Sequence, residues 1–405
     1  MERPYPIFKV TKKAELSLKN GHPWVYGDEV TGVTKEYRNG DIVDVRGPKD
    51  NYLGSGYVND NSKIRVRVIS DNANDRFDED FYKRRIKYAV DYRRQVMGED
   101  FSNCRLVFGE ADRLPGLTVD RFGSVLVTQS LCLGTDMRKH ILIPALVEYL
   151  RSLGEDIEAV YERNDVGIRA LEGMEEYKGF YEAPGLRTDL CGRTEITENG
   201  VRYEVDYVNG QKTGFFLDQK YNRLAVKRIA SGLHVLDCFT HTGAFALNAA
   251  MGGAASVTAV DISASAIELA KANAERNGID MGFIVADVFD LLTGLSEKHS
   301  RDYDFIILDP PAFTKSSSTA QSAYRGYKEI NMKAMRLLPR GGYLATCSCS
   351  HFMYDDMFRK MLSEAAHDAC VTLRQIEARQ QAPDHPILPS VRETDYLKFY
   401  LFQVV

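Results

Sequence analysis

The stretch HVLDCFTHTGAFA, residues 234–246, decides the fold. An apolar run of strand length stops at Asp237, a tight loop follows, and after Gly243 the pattern becomes helical. The same alternation continues downstream. SVTAVDI (256–262) is followed by helix-like ASAIELAKANAERNG (264–278), then GFIVAD (282–287) and YDFIILDPP (303–311). A helix from about Tyr324 and the strand-like GYLATCSCS (342–350) complete the series. Buried strands feeding helices in this order predict an α/β chain with a doubly wound parallel sheet.

Upstream the pattern differs. GDIVDVRGPKDNYLGSGYVN and KIRVRVIS, within the first seventy residues, alternate with the period of strands and are punctuated by glycines, which predicts a small β-rich domain. Polar SDNANDRFDEDF reads as a boundary. FYKRRIKYAVDYRRQVMG then has apolar residues at helical spacing. Lys83, Arg84, Arg85, Lys87, Arg93 and Arg94 are expected on its surface, either solvated or facing phosphates. Strand-like segments flanking a second helical run predict a central α+β domain, and TEITENGVRYEVDYV reads as a hairpin with an Asn-Gly turn. The expected boundaries are 1–72, 73–188 and 189–405. TKSSSTAQS, 314–322, reads as a loop.

A chain of 405 residues is long for one core, in keeping with this division. No apolar run approaches the roughly 18 residues that span a bilayer. MERPYPIFKV lacks the apolar core of a signal peptide, and seven scattered cysteines do not form a disulfide framework, so a cytoplasmic location is expected. With a net charge of −5, any RNA contact must come from local patches.

Ligands of such sheets sit beyond the carboxyl ends of the strands. A dinucleotide enzyme would show G-x-G-x-x-G there, opening the backbone to a pyrophosphate. Here the loop has one glycine, Gly243, and the side chains Phe239, Thr240 and Thr242, which suits a cofactor without phosphates. Asp237 ends the first strand. Asp261 ends the second, placed for a ribose diol, and Asp287 ends the third, near where an adenine amino group would lie. Asp309 ends the fourth and is followed by Pro310 and Pro311. Any one such acid could merely cap the next helix. Together with Asp-Pro-Pro they resemble class I S-adenosylmethionine methyltransferases. In members acting on nucleobases, a similar segment grips the ring edge through the acid and the carbonyls of Pro310 and Pro311. An aromatic residue, here Phe313, stacks on the flipped base.

Further segments resemble bacterial 23S rRNA cytosine-C5 methyltransferases that carry an N-terminal PUA domain. KNGHPWVYGDEV (19–30), NGQKTGFFLDQKYNR (209–223), LDCFTHTGAFA, DPPAF and QAPDHPILPSVRETDYLK are similar to that family's signatures in order along the chain. The resemblance implies a PUA domain, a central domain and a methyltransferase domain, S-adenosyl-L-methionine as cofactor, and 23S ribosomal RNA as substrate. No membrane partner is expected, since no apolar run is long enough to span a bilayer, and a homodimer is left open. The resemblance also places Gln211, Thr213, Phe216 and Asp218 near the cofactor or across the active-site mouth. Ala312 stands where relatives often carry a lysine.

Carbon C5 of cytosine is a poor nucleophile. A thiolate that adds to C6 activates it, and an acid near N3, here Asp309, steadies the charge pushed into the ring. Cys347 and Cys349 lie about 6.5 Å apart on one side of a strand, with Cys349 nearer the ligand edge. Relatives place their nucleophile, counted from the paired glycines, where Cys349 stands. Cys347 is expected to pack, and C-x-C without a second pair does not predict zinc or any other metal. Asp384 and His385 in PDHP read as a turn facing either the active-site mouth or solvent. Two alternatives stay open. A guanine-N RNA methyltransferase would share the sheet but have no use for Cys349, and a non-catalytic PUA RNA-binding protein would not bind S-adenosylmethionine.

Overall fold

The computed structural model describes residues 3–314 and 319–405; of the loop expected over 314–322, residues 315–318 lie outside the described residues. The chain forms two compact units. One comprises Met1–Ile196, Val205–Leu217 and Pro383–Thr394, and the other Thr197–Glu204, Asp218–Ala382 and Asp395–Val405.

The first unit holds two sheets. Six strands between Ile7 and Ser70 form the first, in which Ile42–Arg46, Tyr52–Val58 and Ile64–Ser70 pair antiparallel in sequence. Alternating residues Val43, Val45, Val58, Val66 and Val68 meet Phe8 and Val25 in its core. A five-stranded sheet follows between Asn103 and Phe180. Side chains cross the expected boundary near residue 72. Arg67 pairs with Glu110 at 3.1 Å and Glu172 at 3.0 Å, and Trp24 Nε1 donates to Glu110 at 3.0 Å.

The helix Glu79–Met97 starts where Asp78 accepts a hydrogen bond from the Phe81 amide. Its buried stripe is Phe81, Tyr82, Ile86, Ala89, Val90, Arg93 and Met97, so Arg93 is not a surface residue as expected from its charge. It is fully buried, ion-paired with Asp112, and donates to the main-chain oxygens of Arg105 (3.0 Å) and Asp384 (3.0 and 3.2 Å). Asp384 and His385 are correspondingly not at the surface. Asp384 accepts the Arg105 amide at 2.8 Å and lies 2.8 Å from His385 Nδ1, all within the first unit. Removing one partner leaves a buried charge uncompensated. Arg93→Ala should therefore lower the unfolding free energy by about 3–5 kcal/mol in denaturant titrations.

In the second unit the strands are numbered β1 (His234–Cys238), β2 (Ser256–Asp261), β3 (Gly282–Val285), β4 (Phe305–Leu308), β5 (Tyr343–Ser348), β6 (Leu373–Arg379) and β7 (Lys398–Val404). They form one sheet in the order β3-β2-β1-β4-β5-β7-β6. The first five are parallel as expected, but β7 runs antiparallel between β5 and β6. Only the three-residue 3-10 helix Arg392–Thr394 lies between β6 and β7, so the chain returns without the helical crossover that joins parallel neighbours. Alternate residues enter two cores. Leu236, Ile306, Leu308, Leu344 and Phe402 face the helices Ala320–Leu337 and Asp355–Asp368. Val235, Phe305, Ile307, Ala345, Cys347 and Leu401 face the helices Lys220–Ile229 and Ala244–Met251. Burial on both faces is why these strands read as unbroken apolar runs.

Candidate functional site

β1 delivers Asp237 to a loop whose backbone is preset. Phe239 (φ 64°), His241 (φ 50°) and Gly243 (φ 78°) all adopt left-handed conformations. A side chain at Gly243 would also crowd Ala270, 3.1 Å from where its Cβ would stand. The fold is held by Thr240 N to Val260 O (2.9 Å), Gly243 N to Thr240 O (2.9 Å) and His241 N to Asp261 Oδ2 (3.0 Å). Left-handed non-glycine residues each cost on the order of 1–3 kcal/mol, so three hydrogen bonds oppose that strain.

Asp237 is fully buried. Its Oδ2 accepts from Thr240 Oγ1 (2.6 Å) and Ala246 N (2.9 Å), while Oδ1 has no hydrogen-bond partner among the described residues. Burial, reinforced by the charges of Asp309 and Asp261, raises its pKa to about 7. The folded chain thus holds this proton more tightly than the unfolded chain, whose value is near the ordinary 3.8. Stability from the neutral acid is complete below about pH 4 and is lost as pH rises through 7. Unfolding free energies measured from pH 4 to 8 should fall more steeply for the native chain than for Asp237→Asn.

The neighbouring strand ends hold the other acids. Asp261 Oδ1 accepts from Ser263 N at 2.9 Å, completing its grip on the loop. Asp287 caps the helix Val288–Glu297, with Oδ1 accepting from Phe289 N (2.7 Å) and Asp290 N (3.4 Å). Capping and ligand binding are compatible for a carboxylate with four lone-pair sites. Sequence reasoning missed Ile262 and Val285, which are 67% and 54% exposed at the ends of β2 and β3.

Asp309 follows β4, and Gln219 Nε2 donates to its Oδ1 at 3.0 Å. Gln219 was also missed, since nothing in its spacing ties it to a residue ninety positions away. Pro310 and Pro311 follow Asp309, and the Phe313 ring packs on Tyr327 and Phe289, at 4.5 and 5.9 Å between centroids. Cys349 lies just beyond β5, half-buried, its sulfur 4.0 Å from the Pro310 carbonyl oxygen. Cys347 lies inside β5, fully buried. Burial pushes its thiol well up, helped by the Asp309 charge beside it, so it stays protonated. It touches the Gln219 amide and the Asp309 carboxylate, which the packing expectation did not include.

Asp218 accepts from Tyr396 Oη at 2.6 Å in this unit. Gln211, Thr213 and Phe216 belong to the first unit. There Thr213 Oγ1 donates to Asp120 at 2.5 Å, and the Lys212 ammonium lies 4.5 Å from the centre of the Phe216 ring.

The profile of the S-adenosylmethionine-dependent methyltransferase family matches residues 182–403, and that of the PUA-like domain matches residues 8–71. Proteins named ribosomal RNA large subunit methyltransferase I are similar over nearly the whole length. That of Klebsiella pneumoniae (strain 342) is 38% identical over 405 residues, 99% of both chains. That of Cronobacter sakazakii is 38% identical over 400 residues, 98% of both. A structure described as a SAM-dependent methyltransferase from Streptococcus mutans superposes with a TM-score of 0.80 at 22% identity. One described as a methyltransferase complexed with SAH gives 0.82 at 22%. Each covers 98% of this chain and 100% of the other, and at that identity they show the fold alone.

Proposed function

This chain belongs to the S-adenosylmethionine-dependent methyltransferase family, with a PUA-like domain ahead of the catalytic sheet, and we propose that it makes 5-methylcytosine in 23S ribosomal RNA. The observation that carries the chemistry is a half-exposed thiol, Cys349, beside the Asp309-Pro310-Pro311 segment. The names of the 38%-identical relatives support large-subunit rRNA as the substrate class. The proposed layout is a PUA-like domain over 1–72, a central domain over 73–188 and the methyltransferase domain over 189–405.

The donor set fits S-adenosylmethionine. Carboxylates occupy the strand ends, Asp237 keeps a buried oxygen without a partner, and Ile262 with Val285 offers apolar surface to a purine. Asp237, Phe239, Gly243, Asp261 and Asp287 would hold it, with Thr240 and Thr242 shaping the loop. When bound, it supplies an electrophilic methyl group. Cys349 adds as thiolate to C6 of the base, forming an S–C6 bond and moving the ring electrons onto C5 and N3. Asp309, oriented by Gln219, enters this step in its protonated form and donates that proton at N3. Pro310, Pro311 and Phe313 seat the flipped base. After methyl transfer a base takes the C5 proton, the S–C6 bond breaks with its electron pair returning to the cysteine sulfur, and N3 gives its proton back to Asp309.

The test is nucleoside mass spectrometry of large-subunit rRNA incubated with the chain and methyl-labelled S-adenosylmethionine. Label in 5-methylcytidine is expected. Label in a methylguanosine would replace this reading with a guanine-nitrogen methyltransferase.

A further inference from the structure

Gln219 is the N-cap residue of the helix Lys220–Ile229, and Asn222 sits in its first turn. Both are buried, 4% and 1% exposed. The Asn222 amino group donates to Gln219 Oε1 at 2.6 Å and to the main-chain oxygen of Gln380 at 3.4 Å. Gln219 in turn donates to Asp309 Oδ1 at 3.0 Å, and its amide also meets the Cys347 thiol. The two ends of an amide side chain have nearly the same shape, so its hydrogen-bond partners decide which way it is turned. Here the deciding partner is the Gln380 carbonyl, which can only accept. It requires the amino end of Asn222. Asn222 then requires the oxygen of Gln219, and the Gln219 amino group is left facing Asp309. Asn222 Oδ1 has no hydrogen-bond partner among the described residues, so no other contact opposes this orientation. The reversed chain would set Asn222 Oδ1 against the Gln380 oxygen. It would also present Gln219 Oε1 to Asp309, which only a proton on Asp309 Oδ1 could satisfy.

We propose that Asn222 is a positioning residue that sets the direction of this buried chain, so that Asp309 Oδ1 accepts and the proton given to the base is carried on Oδ2. The use of that proton rests on the proposed C5 chemistry; the direction of the chain is a property of the protein without RNA. A proton on Oδ1 would have to displace the Gln219 donor, whereas one on Oδ2 leaves every bond of the chain in place. A donor fixed on Oδ1 also favours the carboxylate, and freeing Gln219 to turn weakens that preference. Titratable neighbours of Asp309 include Cys347 in β5, Cys349 beyond it and Asp237 at the end of β1. Replacing Asn222 alters none of these.

The experiment is a carbon-13 titration of the Asp309 carboxyl in the full-length chain, its resonance identified by its loss in Asp309→Asn. Gln219→Leu removes the donor outright and should raise the midpoint by on the order of one pH unit. Asn222→Leu changes no charge and no atom bonded to Asp309, yet it should reproduce most of that rise. The double variant should add little, because both substitutions break one chain. In turnover, Asn222→Leu should lower kcat with KM for RNA unchanged, and the alkaline limb of its pH profile should move up with the midpoint. An unmoved Asp309 midpoint in a folded Asn222→Leu overturns the proposal, and so does a fully additive rise in the double variant. Where Asn222→Leu does not fold, the native chain decides. The Gln219 amino protons should show nuclear Overhauser contacts to the Cys347 side chain; contacts to Asn222 in their place overturn the assigned direction. If Cys349→Ala still methylates RNA, the C5 chemistry falls and a moved midpoint still stands. If that variant is dead and the midpoint is unmoved, the direction of the chain alone falls.

Discussion

Cys349→Ala should lower methyl transfer to RNA by on the order of 10⁴-fold or more, the scale on which removal of a covalent nucleophile acts. On the proposed chemistry the loss is expected in kcat, because Cys349 would make its bond only during reaction, while calorimetric binding of S-adenosylmethionine should be unchanged. RNA carrying 5-fluorocytidine offers a second readout. Fluorine at C5 cannot leave as a proton, so the S–C6 adduct should accumulate with the native chain as a denaturation-resistant protein–RNA band. That band should be missing with Cys349→Ala. Cys347→Ser is the matched control. Its side chain is buried against Gln219 and Asp309 with the thiol held protonated, so most of the activity and the adduct should survive. A dead Cys347→Ser that still folds would exchange the roles of the two cysteines. Undiminished transfer by Cys349→Ala would remove the C5 mechanism altogether.

The parts of this chain legible in its sequence are those encoded locally. Each of β1 to β5 is a short apolar run ended by a polar residue, so strand order along the chain and the acids Asp237, Asp261, Asp287 and Asp309 could be read directly. The residues of β7, KFYLFQV, are strand-like in themselves, but its antiparallel direction depends on the connection before it and not on those residues. Arg93 was misplaced for a different reason. It falls three and four residues after Val90 and Ala89, on the apolar stripe itself, and periodicity alone would have buried it; its charge argued otherwise. Asp384 and His385 sit between prolines and read as a turn, yet both are buried, with Arg93 and Arg105 donating to Asp384 and Asp384 paired in turn with His385. Gln219 and Asn222 lay inside a segment already singled out, NGQKTGFFLDQKYNR, but only the fold brings them to Asp309 and to the Gln380 carbonyl. Contacts made across ninety or more residues leave no spacing to read.

The second large effect is expected at Asp309. Asp309→Asn keeps the size of the side chain and an oxygen for the Gln219 amide, which donates to Oδ1 at 3.0 Å in the native chain. It removes the group's ability to give up a proton. On the proposed chemistry, kcat should fall by about 10²–10⁴-fold, the usual contribution of a positioned general acid, with KM for RNA changing little. Asp309→Ala should do more, since it also strips Gln219 of its acceptor and leaves the base edge without a hydrogen-bond partner. The pH–rate profile distinguishes this from a merely structural role. On the proposed chemistry one group must be ionised, the Cys349 thiol, and one protonated, Asp309, so kcat should be bell-shaped. In Asp309→Asn the limb at high pH should flatten while the limb set by the thiol persists. Unaltered kcat in a folded Asp309→Asn would show that N3 takes its proton elsewhere, and would return Asp309 to its other visible task of fixing Gln219 beside Cys347.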